Sequence, residues 1–313
     1  NPSNLQRYSI NVEESQLREN EIIVSKILKR DGTLRKQDRY WLEGIIENNN
    51  TFYDIKMRLR GDQPNHWENQ KKSWRIKLKN NQYISGYNSF SLILPTDRWL
   101  EVGQLANELA EKYGILFLKS NFILLSINNK NHGLYFYTEN FDKNFLERHE
   151  YPDGQIFAGD DIGFDKIEDN NNNDQNLEYE FLPSSYKTIL KNKNNISNSA
   201  QIQFNDFLKL LKSRNIEKID NQIDEYLNID KFSKWYALLV ILGSDHSEKH
   251  DNLPWYYNSL TGLFEPILYD VELKRRNPNS MREVLENEII KTLLMTPKIK
   301  NEIGRQLNKI VKE

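Results

Sequence analysis

Two early stretches alternate apolar and polar residues with the period of a strand. Tyr53, Ile55, Met57 and Leu59 alternate with Asp54, Lys56 and Arg58 over residues 52–59, and Gly61 closes the run. Trp74, Ile76 and Leu78 alternate in the same way with Ser73, Arg75, Lys77 and Lys79 over residues 73–79. Each predicts a half-buried strand with one apolar and one basic face. Residues 61–70 between them form a polar loop holding His66 and Trp67. Val102, Leu105, Ala106, Leu109 and Ala110 recur at helical spacing, which predicts a helix over 99–113 with Gly114 as its C-cap. Residues 121–127 and 133–138 read as a hairpin around a turn at 128–132. Residues 1–50 mix short apolar runs, such as Ile22-Ile23-Val24, with many charges, which predicts edge strands and no catalytic constellation.

Further along, residues 169–176 and 192–198 are rich in asparagine and read as flexible surface insertions. Helical spacing resumes at Phe204, Phe207, Leu208, Leu210 and Leu211, and again at Ile219, Ile223, Tyr226 and Leu227. The apolar run 235–242 ends at Gly243 and suits a buried helix or strand. After it, residues 244–252 carry Asp245, His246, Glu248, His250, Asp251 and Asn252. Residues 253–257 and 263–269 predict two strands joined by a turn at 258–262, and helices follow over 280–294 and 297–312. Antiparallel pairing about Leu260 brings Asp251 and Asn252 to the same open end as Asp270 and Glu272. Convergent hard oxygen donors suit Mg²⁺ or Mn²⁺ when a polyphosphate supplies the remaining ligands. The same residue types are common in solvated turns, so the chemistry rests on more than this loop.

Five blocks occur in a recognisable order: Arg58-Leu59-Arg60-Gly61-Asp62; Lys71-Lys72-Ser73-Trp74-Arg75-Ile76-Lys77-Leu78; Gly133-Leu134-Tyr135-Phe136-Tyr137-Thr138-Glu139; His250-Asp251-Asn252 with Trp255-Tyr256-Tyr257; and Pro266-Ile267-Leu268-Tyr269-Asp270-Val271-Glu272. In them the sequence resembles the CotH kinase family, the spore-coat protein H group of atypical protein kinases. The resemblance spans about residues 54 to 275. It implies an α+β, bilobal protein-kinase-like fold. Residues 1–138 would be a β-rich, nucleotide-covering lobe, and residues 139–313 a mainly helical lobe with the catalytic loop and metal site.

The resemblance also implies roles. Asp245 resembles the catalytic aspartate, with Asp251 as the alternative, because Asp245 precedes Asn252 by seven residues where the usual kinase loop has five. Asn252 and Asp270 resemble the metal-holding pair. Lys72 resembles the strand-borne lysine that holds nucleotide phosphate, with Arg75 or Lys77 able to serve instead. Glu108 is the expected helix partner of that lysine, ahead of Glu101, and Glu139 has a structural or adenine-side role. The implied cofactors are ATP with Mg²⁺ or Mn²⁺. Two positions depart from the family pattern: Val102-Gly103 stands where an Arg-Asn pair is usual, and Glu272 where an aspartate is common.

The 313 residues are enough for two domains or one large two-part unit. A formal net charge of −2 gives no global sign of a nucleic-acid or membrane-surface binder. With no cysteine, disulfides and thiolate metal sites are excluded. No stretch reaches the roughly 18 apolar residues of a membrane span. The chain starts at Asn1 rather than Met, which fits an extracytoplasmic or cell-envelope protein whose targeting segment has been removed. The expected acceptor is a protein Ser or Thr hydroxyl, with a glycan as the alternative. A catalytically silent envelope-binding module and a metal-dependent hydrolase are the competing classes, and nucleotide binding separates the hydrolase from a kinase.

Overall fold

The computed structural model describes residues 5–98, 102–159, 179–190, 199–272 and 287–313. The asparagine-rich runs at 169–176 and 192–198, and Glu101, lie outside the described residues. The chain divides into two compact units: Asn1–Gln104 with Leu118–Asp142, and Leu105–Phe117 with Lys143–Glu313.

The first unit is a closed barrel of seven strands: β1 (Gln6–Val12), β2 (Leu42–Asn48), β3 (Thr51–Leu59), β4 (Trp74–Leu78), β5 (Ser89–Ile93), β6 (Ser120–Ile127) and β7 (Lys130–Glu139), ordered β1-β2-β3-β4-β5-β7-β6. Its neighbours are antiparallel except at the seam, where β1 runs parallel to β6 with Tyr8 opposite Leu125. The alternation in β3 and β4 sends Ile55, Met57, Leu59, Trp74, Ile76 and Leu78 inward, where they meet Tyr8, Phe90 and Tyr137. Arg58 and Arg75 stand opposite each other on the outer face, as do Lys56 and Lys77. The β6–β7 turn uses Asn128 and Asn129, both at positive φ, as a two-residue hairpin turn requires.

Residues 14–30 correct one sequence expectation. They form a helix, α1 (Glu14–Arg30), not edge strands. Leu17, Val24 and Ile27 fall at helical spacing and pack on the barrel core, so burial of that stripe outweighs the β preference of the Ile22-Ile23-Val24 run.

The second unit contains α2 (Val102–Tyr113), counted mostly with it, and the short α3 (Phe145–Arg148). A four-stranded antiparallel sheet follows, made of β8 (Gly154–Gly159), β9 (Tyr186–Leu190), β10 (Trp255–Asn258) and β11 (Leu263–Pro266), in the order β11-β10-β8-β9. The remaining helices are α4 (Ser199–Lys212), α5 (Ile216–Gln222), α6 (Ile229–Leu242), α7 (Glu288–Met295) and α8 (Pro297–Ile310). Asparagines start three of them. The side chains of Asn215, Asn228 and Asn287 accept the backbone N–H of Lys218, Lys231 and Ile290 at 3.0, 3.2 and 3.1 Å. Phe157, Phe204, Phe207 and Phe264 stack between the sheet and α4, with ring centroids of Phe157 and Phe204 4.4 Å apart.

The bilobal protein-kinase-like fold is therefore overturned. The first sheet closes on itself because β1 pairs with both β2 and β6, and the second unit is built on a sheet as well as on helices.

Candidate active site

Helix α6 leads into the acidic loop. Its Phe232, Trp235, Leu238, Leu239 and Leu242 are buried, so its axis is held by packing. The helix ends on Gly243 at φ 64°, where the Gly243 N–H donates to Val240 O and the Ser244 N–H donates back to Leu239 O at 3.0 Å. This left-handed cap turns the chain sharply and fixes the direction in which Ser244 and Asp245 leave the helix.

Residues 246–248 and 250–252 then form two short 3₁₀ turns. The Glu272 N–H donates to Ser244 Oγ at 3.3 Å. His246 lies with Nε2 3.5 Å from Asp270 Oδ2 and Nδ1 3.8 Å from Glu272 Oε2. The hydrogen bond to Asp270 raises the pKa of His246, against the opposing effect of burial. Both neighbours of Asp245 thus touch the segment 270–272.

The hairpin forms, with its strands at Trp255–Asn258 and Leu263–Pro266. β10 and β11 pair with Trp255 opposite Pro266 and Asn258 opposite Leu263, and the Ile267 N–H donates to Pro254 O at 3.0 Å. That bond is followed two residues outward by Asn252 on one strand and three residues outward by Asp270 on the other. Leu268 leaves the hairpin to donate its N–H to Leu116 O. Asp270 takes a left-handed backbone at φ 54°, a conformation aspartate tolerates better than most residues. Asn252 is 6% exposed, and its carboxamide has no hydrogen-bond partner among the described residues.

This donor set suits a hard cation in composition, with one carboxylate and one open carboxamide. Among the described residues, no group of three or more His, Asp or Glu side chains is arranged to hold a metal. A cation here would need further oxygens from a bound polyphosphate.

The other predicted residues are placed as follows. Lys72 lies two residues before β4 and is 3% exposed. Its ammonium donates to Trp67 O at 2.7 Å and Asn69 O at 2.9 Å and pairs with Glu21 at 3.3 Å. Burial lowers its pKa, partly offset by Glu21. Arg75 is half-buried on the outer face of β4, opposite Arg58 and Ser91. Glu108 is exposed on α2, and Lys77 is exposed on β4. Glu139 is fully buried at the end of β7, where its Oε1 accepts the Lys119 N–H at 2.8 Å. Asp251 is half-buried within the loop.

One contributor carries no separate signal in the sequence. His246 reaches Asp270 and Glu272 only through the folded loop. Arg58 lies 5.1 Å over the Trp41 ring, and burial together with the fields of Arg39 and Arg75 brings its pKa down to about 10. The alternation of β3 exposed Arg58 to view without saying what surrounds it.

The geometry defines a class of site: a rigidly launched acidic loop, held against a carboxylate segment beyond a hairpin's open end. The family model described as CotH kinase protein matches residues 57–313, and the chain belongs to that family. It is also 24% identical over 278 residues to the inner spore coat protein H of Bacillus subtilis (strain 168), covering 87% of this chain and 69% of that protein. Family membership suggests a kinase-type function. No helix among the described residues is long and apolar enough to cross a membrane.

Proposed function

We propose that the chain is an ATP-dependent phosphotransferase that moves a γ-phosphate to a hydroxyl acceptor, a protein Ser or Thr in the first instance. The observation that carries this reading is the contact of His246 with Asp270 and Glu272, which keeps the loop bearing Asp245 beside the carboxylate of Asp270. Within the proposal, Asp245 orients or deprotonates the acceptor hydroxyl, with Asp251 as its alternative. Asn252 and Asp270 hold Mg²⁺ or Mn²⁺, which when bound neutralises charge on the transferring phosphoryl group.

In the first unit, Arg75 with Arg58 beside it is the better phosphate-holding candidate, because a guanidinium presents a fork of donors to an oxyanion. The donors of Lys72 already serve Trp67 and Asn69. Residues 1–138 as the nucleotide-covering part, and 139–313 as the part with loop and metal ligands, remain the proposed division of labour. Glu108 belongs to the proposal as the expected helix partner of the phosphate-holding lysine, and Glu139 in a structural or adenine-side role. The likeness to a protein named for the inner spore coat supports a spore or cell-envelope location in a bacterium.

Incubation with γ-labelled ATP and Mn²⁺ or Mg²⁺, offered with protein and polysaccharide acceptors, tests the reading. Label on a protein acceptor or on the chain itself is expected. Label on polysaccharide alone would make the chain a glycan kinase, release of free phosphate alone a hydrolase, and no turnover of ATP at all a binding module.

A further inference from the structure

The loop that carries Asn252 is anchored on its far side as well. His250 is 4% exposed, and its Nε2 lies 3.0 Å from the carbonyl oxygen of Ser185, in the turn that leads into β9. Because a carbonyl only accepts, Nε2 carries the proton and donates. The imidazole is flanked edge-on by two tyrosines, with ring centroids 4.5 Å away at Tyr186 and 5.6 Å away at Tyr179. Tyr186 in turn packs edge-on against Phe204 of α4 at 4.8 Å, so the slot that holds His250 is backed by the helix core. On the third side the backbone of β8 comes so close that a Cβ on Gly159 would lie 2.3 Å from His250 O and 2.4 Å from its Cδ2. A backbone atom has little freedom to give way, so this approach requires glycine.

Two residues later comes Asn252, whose own N–H donates to Lys249 O at 3.0 Å within the same short turn. We infer that His250 is a positioning residue: donation to Ser185, inside a slot formed by Tyr179, Tyr186 and Gly159, clamps the loop onto the β8–β9 edge and fixes where the Asn252 carboxamide stands for a divalent cation. Its effect on metal rests on the proposed function; the clamp itself does not. A supporting residue of this kind typically governs metal affinity by about 10- to 100-fold without touching the ion.

His250→Phe keeps a flat ring in the slot and removes the donor, and His250→Gln restores a donor without the ring. Gly159→Ala presses on the clamp from the other side. The first measurement is amide hydrogen exchange across residues 249–253 in metal-free protein. His250→Phe and Gly159→Ala should each speed exchange there while β10 and β11 stay as protected as in the parent, and unchanged exchange overturns the clamp. The second is Mn²⁺ affinity, read by electron paramagnetic resonance with a non-hydrolysable ATP analogue present. His250→Phe should weaken it about 10- to 100-fold, His250→Gln should recover part of the loss, and His250→Phe added to Asn252→Ala should cost little more than Asn252→Ala alone. Full additivity, or parent-like affinity in His250→Phe, overturns the positioning role. A parent protein that binds no Mn²⁺ with nucleotide removes the metal assignment, while the exchange result still decides the clamp. If His250→Phe does not fold, Gly159→Ala and His250→Gln decide both measurements.

Discussion

The loop before β4 and the loop before β10 each bury a polar side chain that sequence reasoning assigned to the nucleotide or its metal, and they treat it oppositely. Lys72 directs its ammonium into two backbone carbonyls and one carboxylate, all within the barrel unit. Asn252 is buried almost as deeply, yet its carboxamide has no hydrogen-bond partner among the described residues. Burial alone therefore does not mark a site; what separates the two loops is whether the buried side chain's hydrogen-bonding groups are taken up by the fold. On that ground we propose Asn252 as the stronger metal candidate, while the Lys72 ammonium is held by carbonyls of its own unit.

The largest expected effect that sharpens this contrast is at Asp270. Asp270→Asn keeps a residue that tolerates the left-handed backbone while removing the one carboxylate of the proposed donor set. Metal-dependent nucleotide affinity, followed by calorimetry, should fall by more than the roughly 10- to 100-fold that loss of a supporting residue costs. Unchanged affinity would remove Asp270 from the metal site.

Next is Glu180, whose carboxylate accepts the Glu288 N–H at 2.6 Å at the start of α7. It is 3% exposed, and burial pushes its pKa up to about 7 from an ordinary 4.5. Because the folded-state value is raised, the folded state binds the proton more tightly, and the stabilisation is complete below about pH 4.5 and lost as the pH rises through about 7. Glu180→Gln should therefore gain stability over the parent above pH 7, by up to about 3 kcal/mol, and lose that advantage in acid. Urea unfolding at pH 5 and pH 8 checks it; a difference independent of pH would show that Glu180 is not the titrating group.

Lys72→Met should cost about 2–3 kcal/mol, since it leaves buried carbonyls without their charged donor. If Lys72 is structural, the folded variant should retain phosphotransfer. Parent-like stability combined with lost transfer would reverse the contrast between the two loops.

What was legible in the sequence were the elements that bury one face. The period-2 runs became β3 and β4, the hairpin at 128–132 became β6 and β7, and the apolar run before Gly243 became the end of α6. Strands buried on both faces were not legible: β5 is buried at all five positions, and in β8 only Gln155 is not. Closure of the barrel depends on β1 meeting β6 more than 100 residues later, which no local pattern encodes. In the candidate site, the pairing of β10 with β11 could be counted from the turn because antiparallel register is fixed by loop length. The partners of Lys72, the contacts of His246 and the slot around His250 come from residues distant in sequence or from backbone atoms, so composition and spacing were silent about them.

In the proposed mechanism Asp245 serves the chemical step, and other residues hold nucleotide and metal. Asp245→Asn preserves size and polarity and removes the charge, so nucleotide affinity and phosphotransfer measured on the same preparation separate holding from chemistry. Affinity for ATP with Mn²⁺ should stay within about twofold of the parent while labelled transfer falls by about 10²- to 10⁴-fold. Transfer at the parent rate in Asp245→Asn would contradict the account.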